Sequence, residues 1–245
     1  NEIILDNPVA GNAQVQNQHN VELTLRKVYD FAMETPIEEL EFILESAEVN
    51  KKVAITSLHG KYGHSLGKTI FHQPVEQFFG NGIYSKILSY TAAACDARMA
   101  GAKIPVMCNS GSGNQGISAT LPVLVYAEER LKSREQLIRA LILSNLTVIY
   151  IKQHFGRLSA LCGCVVAATG SSCGITYLMD GDYEQICYAV QNMVANITGM
   201  ICDGAKPSCA LKIATGASTA VLSAMLAIEN KSVSSVEGII DQDVD

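Results

Sequence analysis

The segment that most constrains the fold is residues 158–179, which contain no charged side chain and consist mainly of small residues. Residues 208–229 are similarly rich in Ala and Gly. Glycine inside a helix costs about 1 kcal/mol relative to alanine, so another interaction has to compensate. Small side chains allow helix backbones to approach closely, or leave room for a bulky ligand. We therefore predict tightly packed, buried helices.

A membrane-spanning role is the alternative for two uncharged stretches, 104–127 and 158–179, which are long enough to cross a bilayer. Both are rich in Gly, Ser and Thr and lack the density of Leu, Ile and Phe that insertion requires. We therefore expect both to be buried segments of a soluble, cytoplasmic protein that has no signal peptide and no membrane association.

The composition favours one large helical domain. The chain has 245 residues, of which 48% are hydrophobic but only 6% aromatic, and it contains no Trp. An apolar content dominated by Ala, Leu, Ile and Val favours packed helices over a β-sandwich. A formal net charge of −6 without a basic block argues against sequence-independent nucleic-acid binding.

We predict an all-α fold, a compact bundle of small-residue-rich helices over residues 21–245. Residues 1–20 are expected to be a connector and the end of an upstream domain, because residues 1–7 have the pattern of a short strand that needs a partner. Capping signals begin two helices, at Thr35-Pro36-Ile37-Glu38 and Ser133-Arg134-Glu135-Gln136. The predicted helices lie at 21–33, 36–47, 75–80, 84–100, 117–131, 133–149, 158–179, 184–201 and 208–229.

A glycine-rich loop, Cys108–Gly116, precedes the helix that is expected to begin near Ile117. Backbone amides in such a loop and the positive end of the helix suit a carboxylate or a phosphate. The loop is not a P-loop, because no Gly-Lys-Ser/Thr follows and no strand–helix–strand unit surrounds it. A turn without a ligand stays the alternative. The candidate substrate-binding residues are Asn109, Ser110, Gly111, Ser112, Gly113 and Asn114.

The eight cysteines are expected to be reduced, because a long, core-rich chain does not need disulfides. Their spacing lacks the CxxC pairs of zinc sites and the pattern of ferredoxins. Free cysteine is often a buried hydrophobic residue, and Cys95, Cys173 and Cys187 are interpreted in that way. The residues left open between core packing and metal binding are Cys162, Cys202 and Cys209.

Two further segments carry ionisable side chains. Leu58–Lys68 holds two His and two Lys residues between glycines, which suits either a general base or a solvated loop. Asp96 and Arg98 are interpreted as a structural ion pair.

Together, four motifs resemble those of the L-cysteine desulfidase family, which is related to the α domain of iron–sulfur L-serine dehydratases. The resemblance runs in order from about residue 20 to the end of the chain. The motifs are Asp96–Met99, Asn109–Gly116, Arg157–Cys162 and Met200–Lys206.

This resemblance implies a helical domain that holds a [4Fe–4S] cluster through three cysteines, with the fourth iron open to substrate. By motif, Cys162 and Cys202 resemble two of the ligands. Members of the family carry the third in a Gly-Cys-Thr-Glu-Pro segment that is absent from this sequence. The dehydratase branch has a further downstream cysteine, at wider spacing, so Cys209 is a substitute candidate.

The implied activity is β-elimination from L-cysteine, giving pyruvate, ammonia and hydrogen sulfide, or from L-serine, giving pyruvate and ammonia. The open iron is expected to act as a Lewis acid, and the loop at 109–114 to hold the substrate carboxylate. Lys61 and His64 are the candidate catalytic bases. The amino acid is the expected partner, and a homodimer is the expected assembly.

Two other functions are consistent with parts of the pattern. A pyridoxal-phosphate (PLP) dehydratase catalyses the same reaction, but it needs a Schiff-base lysine and, in that group, an α/β architecture, which the helical pattern opposes. A non-catalytic amino-acid-binding protein would keep the fold without the [4Fe–4S] cluster.

Overall fold

The chain is all-α in the part that the computed structural model describes, which is residues 21–72, 78, 80–155 and 159–245. Within these residues the extended pairings are two isolated bridges, Asn109 with Ser112 and Leu161 with Ile201. The predicted fold class is therefore confirmed. The described helices are α1 Leu25–Glu34, α2 Ile37–Leu40, α3 Leu44–His59, α4 Leu66–Phe71, α5 Ile83–Met99, α6 Gly113–Glu129, α7 Arg134–Phe155, α8 Gly163–Leu178, α9 Tyr183–Ile197 and α10 Cys209–Ile228, with a 3₁₀ turn at Glu41–Ile43.

Helix α8 lies at the centre of the bundle and packs against α6, α7, α9 and α10. Every residue from Cys164 to Thr176 is buried. A Cβ added to Gly170 would lie 2.2 Å from the Ser144 carbonyl oxygen of α7, and one on Gly174 would lie 2.8 Å from Val123 Cγ2 of α6. The small residues thus let neighbouring helices approach closely, and the packing compensates for the low helix propensity of glycine.

Of the helix boundaries that differ from the predicted ones, three bear on the candidate site. Helix α6 begins at Gly113 rather than near Ile117, because Ser112 caps it and the glycine-rich residues form its first turn. Helix α8 begins at residue 163 rather than 158, and α9 ends at 197 rather than 201. In both cases the reason is that residues 160–162 and 200–202 pair with each other instead of continuing the helices.

One of the two predicted capping signals is confirmed. The Gln136 N–H donates to Ser133 Oγ at 3.1 Å, and the Ser133 N–H donates to Gln136 Oε1 at 3.0 Å. The prediction that Thr35 caps the second helix is wrong, since Pro36 occupies the N-cap of α2 without a side-chain hydrogen bond. Thr35 instead ends α1 in an extended conformation, the conformation favoured before proline.

Several predictions fall outside the described residues. These are the strand at 1–7, the connector up to residue 20 and most of the helix at 75–80. The division of the chain into residues 1–20 and 21–245 therefore stays a prediction.

Among the described helices, α10 is long and apolar enough to cross a membrane by length and composition alone. Half of its most apolar window is buried inside the bundle. On that buried side, a Cβ added to Gly216 would lie 3.1 Å from Ala168 Cβ of α8. The helix is therefore packed as a core helix along one face.

Candidate functional site

The glycine-rich loop forms a tight turn that delivers the chain into α6. Asn109 and Ser112 exchange two backbone hydrogen bonds of 3.1 and 2.9 Å. The two central residues, Ser110 and Gly111, have φ values of 49° and 79°, which is the pattern of a type I′ turn. The turn places Ser112 as the N-cap of α6, where its Oγ accepts the Gln115 N–H.

The first turn of α6 presents backbone donors. The first four N–H groups of a helix have no acceptor in the preceding turn, so the acceptors close to them belong to the N-cap residue. Ser112 Oγ accepts the N–H of Gln115 and the Ser112 carbonyl oxygen accepts that of Gly116. The N–H groups of Gly113 and Asn114 therefore have no intrahelical acceptor, and the helix dipole adds partial positive charge at this end. The arrangement suits a carboxylate.

Gly116 fixes where this helix end lies. A Cβ at this position would lie 2.0 Å from the Met107 carbonyl oxygen and 2.9 Å from its carbonyl carbon. The backbone that leads into the turn therefore rests directly on the first turn of α6. This contact requires glycine.

Two of the predicted substrate-binding side chains already have partners. Asn109 Nδ2 donates to the carbonyl oxygen of Asn145 at 3.0 Å and to its Oδ1 at 2.9 Å. Ser110 Oγ donates to Asn109 Oδ1 at 2.8 Å. Asn109 thus anchors the turn to α7, and the contribution of the turn to ligand binding comes from its backbone.

The next two side chains have unused hydrogen-bonding capacity. Asn114 is 4% exposed and Gln115 is 7% exposed, yet Asn114 Oδ1 and Gln115 Oε1 have no hydrogen-bond partner among the described residues. A buried polar atom without a partner costs about 1–3 kcal/mol, so such atoms need an explanation. A polar ligand at this helix end supplies one. Gln115 was missed by the sequence analysis, because nothing in the sequence marks it as buried.

Cys162 and Cys202 are brought together by the isolated bridge between residues 161 and 201. The Cys162 N–H donates to the Met200 carbonyl oxygen at 2.9 Å, and the Cys202 N–H donates to that of Ala160 at 2.7 Å. In an antiparallel pairing these cysteines are diagonal neighbours on one face, about 7–8 Å apart. Residues 40 positions apart in the chain thereby share one site.

Positive charge lies beside both thiols. Lys212 Nζ donates to the Ile201 carbonyl oxygen at 2.9 Å and also binds the Asp203 carboxylate, which is shared with Lys206. The hydrogen bond that Lys212 donates to Asp203 raises the pKa of Lys212, and the nearby Cys162 and Cys202 raise it further. The lysine ammonium therefore lies at the bridge, where its charge favours the thiolate form of Cys162.

The surroundings of Cys162, which is buried in the core, favour the thiolate form of its side chain. The neighbouring Cys164 thiol lowers the pKa of Cys162, and backbone N–H groups of Cys164 and Val165 and the charge of Lys212 lower it further. The pKa of Cys164 is raised, because it donates that hydrogen bond and is buried. A thiolate is the form that binds a metal, and the arrangement favours it at Cys162.

Cys209 lies at the first turn of α10 and is 8% exposed. It belongs to the same hydrophobic core as Cys95, Cys162 and Cys164. However, in the part of the chain that is described, no group of three or more His, Cys, Asp or Glu side chains is arranged to hold a metal ion. The bridge brings two candidate thiols side by side, Cys162 and Cys202, and among the described residues no third donor completes a metal-binding group with them.

The helix end and the cysteines adjoin each other through Gln115. A Cβ added to Gly163, the residue after Cys162, would lie 2.9 Å from Gln115 Nε2 and 3.0 Å from its Cδ. One turn further along α6, Ser118 Oγ donates to the Cys164 carbonyl oxygen at 2.9 Å. The N-terminal end of α6 therefore lies directly against the first turn of α8, the helix that Cys162 precedes as N-cap residue.

The interpretation of Asp96 and Arg98 as an ion pair is wrong. No carboxylate oxygen lies within 4.0 Å of the Arg98 guanidinium among the described residues. Asp96 Oδ2 accepts the Gly67 N–H at 3.0 Å, and burial raises the pKa of Asp96 while hydrogen bonds from the Gly67, Leu66 and His64 N–H groups oppose that rise. Asp96 thus holds the loop at 64–67 onto α5.

Lys61 and His64 both lie exposed in the loop between α3 and α4, the end of which Asp96 holds. The structure connects the loop to the candidate site through α5, which carries Asp96 under the loop and Arg98 at the start of α6. Neither side chain makes a described contact with the glycine-rich loop or with Cys162. Their assignment as catalytic bases therefore stays a prediction.

An apolar cavity of about 450 Å³ lies on the other side of Cys162. Its walls include Val165, Met193, Ile197 and Ile240. A charged amino acid does not suit such walls, because burying an unpaired charge in an apolar environment is strongly unfavourable. The end of α6 is the better place for a polar substrate.

Comparison with known proteins shows which family the chain belongs to. Residues 9–245 match the family described as serine dehydratase alpha chain. A UPF0597 protein of Bacteroides fragilis is 66% identical over 242 residues, covering 99% of this chain and 56% of that protein. A UPF0597 protein of Bacteroides thetaiotaomicron is 65% identical over 243 residues (99% and 56%), and one of Clostridium perfringens is 46% identical over 245 residues (100% and 57%).

The chain therefore spans little more than half the length of these relatives. No solved structure matches it.

Proposed function

The chain belongs to the serine dehydratase alpha chain family, and from this membership we propose that it is the helical catalytic part of an amino-acid lyase. The proposed reaction is β-elimination from L-cysteine or L-serine. The α-proton and the β-thiol or β-hydroxyl leave, and water converts the resulting aminoacrylate to pyruvate and ammonia. Sulfide is the further product when the substrate is cysteine.

The observation that carries this proposal is the contact between Gln115 and Gly163. It sets a carboxylate-binding helix end against the segment of Cys162. We propose that a substrate held by its carboxylate at Gly113 and Asn114 extends its β-substituent toward the neighbouring cysteine site. β-Elimination requires that arrangement, because the acid group and the leaving group of one small molecule have to be held at once.

We propose that Cys162 and Cys202 provide two ligands to a [4Fe–4S] cluster. When bound, such a cluster with an open iron supplies a Lewis acid for the leaving group. Lys212 favours the thiolate form of Cys162, and Asp203 holds Lys212 in place. The third ligand is either Cys209 or a residue of the longer protein.

The remaining roles are proposed on the resemblance to the family and on the carboxylate-binding potential of the loop. The turn at Asn109–Ser112 and the first turn of α6 orient the substrate carboxylate. Lys61 and His64 are proposed to accept the α-proton, with Asp96 fixing the backbone of their loop. The PLP alternative is disfavoured, since the described chain is all-α.

A second candidate is an amino-acid-binding protein without catalytic activity. It is favoured by the lack of an assembled three-ligand group in the described residues. The two candidates share the carboxylate site and differ in whether iron is bound.

We expect the full-length protein that contains this chain, purified without oxygen, to be brown and to contain iron and acid-labile sulfide. It is expected to release pyruvate from L-serine, and pyruvate with sulfide from L-cysteine. The measurement is iron and sulfide analysis together with product assays, before and after exposure to air, which should bleach the colour and remove activity. Iron-loaded protein that releases neither product contradicts the lyase, and iron-free protein that binds the amino acids supports the second candidate.

A further inference from the structure

Arg98 ends α5 in an unusual position, flat against the start of α6. A Cβ on Gly113 would lie 2.4 Å from Arg98 Nε and 2.9 Å from its Cδ. The guanidinium therefore rests on the first residue of α6 because that residue is glycine. Its positive charge lies where the helix dipole already places positive charge.

The donors of Arg98 are almost unused. Nη1 lies 3.8 Å from Met99 Sδ, a weak acceptor. No carboxylate of the described chain pairs with the guanidinium. Asp96, two residues earlier on the same helix, is instead engaged by the loop at 64–67. A half-buried guanidinium has five N–H donors, and without a protein anion beside it these donors are available to bind the carboxylate of a ligand.

Asn114 gives an independent indication that the ligand binds here. Its Nδ2 contacts the same Met99 sulfur at 3.4 Å, so its amide lies next to the guanidinium. Its Oδ1 is buried and has no partner among the described residues, and the residue is 4% exposed. The site thus offers strong donors for an anion beside one buried acceptor for a cation.

We propose that Arg98 binds the α-carboxylate of the substrate and that Asn114 Oδ1 accepts a hydrogen bond from its α-ammonium group. The carboxylate takes the guanidinium fork together with the free N–H groups of Gly113 and Asn114. The recognised class is a zwitterionic α-amino acid, as opposed to an amine or an amide. This inference rests on the proposed function for the identity of the substrate.

The test compares Arg98→Gln and Arg98→Lys with wild type in the full-length protein. Arg130→Gln is the matched control. Arg130 is exposed and lies at the C-terminal end of α6, the opposite end of that helix from the candidate site. The probes are L-serine and L-serinamide, which lacks the carboxylate. Binding is measured by titration calorimetry on iron-free protein, and KM and kcat are measured on the loaded enzyme.

We expect Arg98→Gln to weaken L-serine binding by about 10- to 100-fold, the loss of charge-assisted hydrogen bonds. Binding of L-serinamide is expected to change little, so the preference for the acid over the amide collapses. Arg98→Lys is expected to retain part of the preference for L-serine over L-serinamide. Arg130→Gln is expected to leave the affinities for both compounds unchanged.

An unchanged L-serine affinity in Arg98→Gln overturns the assignment, as does an equal loss for L-serine and L-serinamide, which would indicate a structural role. If L-serine binding depends on Arg98 but the wild-type protein does not turn L-serine over, the lyase proposal is wrong and the Arg98 assignment stands. If Arg98→Gln turns L-serine over with the wild-type KM, the lyase proposal stands and the Arg98 assignment is wrong. Absence of L-serine binding in both iron-free and loaded wild type overturns both.

Discussion

Replacing Cys162 by alanine is expected to remove bound iron and to lower the rate of pyruvate formation by more than about 100-fold, since loss of a mere supporting partner of a metal ligand already costs about 10–100-fold. Cys162 is the cysteine whose surroundings most favour a thiolate. The Cys164 thiol beside it and the Lys212 ammonium both lower its pKa. Iron analysis, the visible spectrum and the product assay on anaerobic protein measure the effect.

Cys173→Ala is the matched control for that experiment. Cys173 is completely buried in α8, the helix that Cys162 precedes as N-cap residue, but it belongs to a different part of the core. Its burial raises its pKa to about 12, so it does not act as a thiolate ligand. We expect Cys173→Ala to retain iron and activity with a lower melting temperature. Equal iron content in Cys162→Ala and wild type, with circular dichroism unchanged, would refute the ligand assignment.

Gly116→Ala is expected to reduce kcat/KM by about 100-fold, because a displacement of about 1 Å in a positioning element has an effect of that size. The added Cβ would lie 2.0 Å from the Met107 carbonyl oxygen, and backbone cannot move aside as a flexible side chain does. The turn at 109–112 has to shift away from the start of α6. Overpacking of this kind also costs about 1–3 kcal/mol of stability.

Gly82→Ala is the control, since its Cβ position is open and its φ of −83° suits any residue. Steady-state kinetics with L-serine and L-cysteine, together with thermal unfolding, separate the effect on the site from the effect on the fold. Wild-type kinetics in Gly116→Ala would show that the turn and the helix end do not bind the substrate.

The fold class and the general position of the loop could be predicted from the sequence. Residues 158–179 carry no charge and many small side chains, and that pattern correctly indicated a buried helix. The glycines at 111, 113 and 116 predicted a turn at the start of α6, and the turn is present; its binding of an anion stays a prediction. Both features are local, because they depend on composition and on spacing along one segment.

The features that could not be predicted depend on contacts between distant segments. Asp96 and Arg98 look like an ion pair in sequence. In the structure the Asp96 carboxylate accepts the N–H of Gly67, and the Arg98 guanidinium packs against Gly113 at the start of α6. The bridge at residues 161 and 201 shortens two helices. Gln115 became a site residue only through the approach of Gly163.

The most direct test of the account is whether one substrate molecule touches both halves of the site. Electron–nuclear double resonance on the reduced, anaerobic full-length protein, with L-serine labelled with ¹³C at the β-carbon, measures this. The account predicts a ¹³C coupling to the cluster in wild type that is weakened in Arg98→Gln. An iron–sulfur signal without coupling to bound serine would place the substrate elsewhere and contradict the site described above.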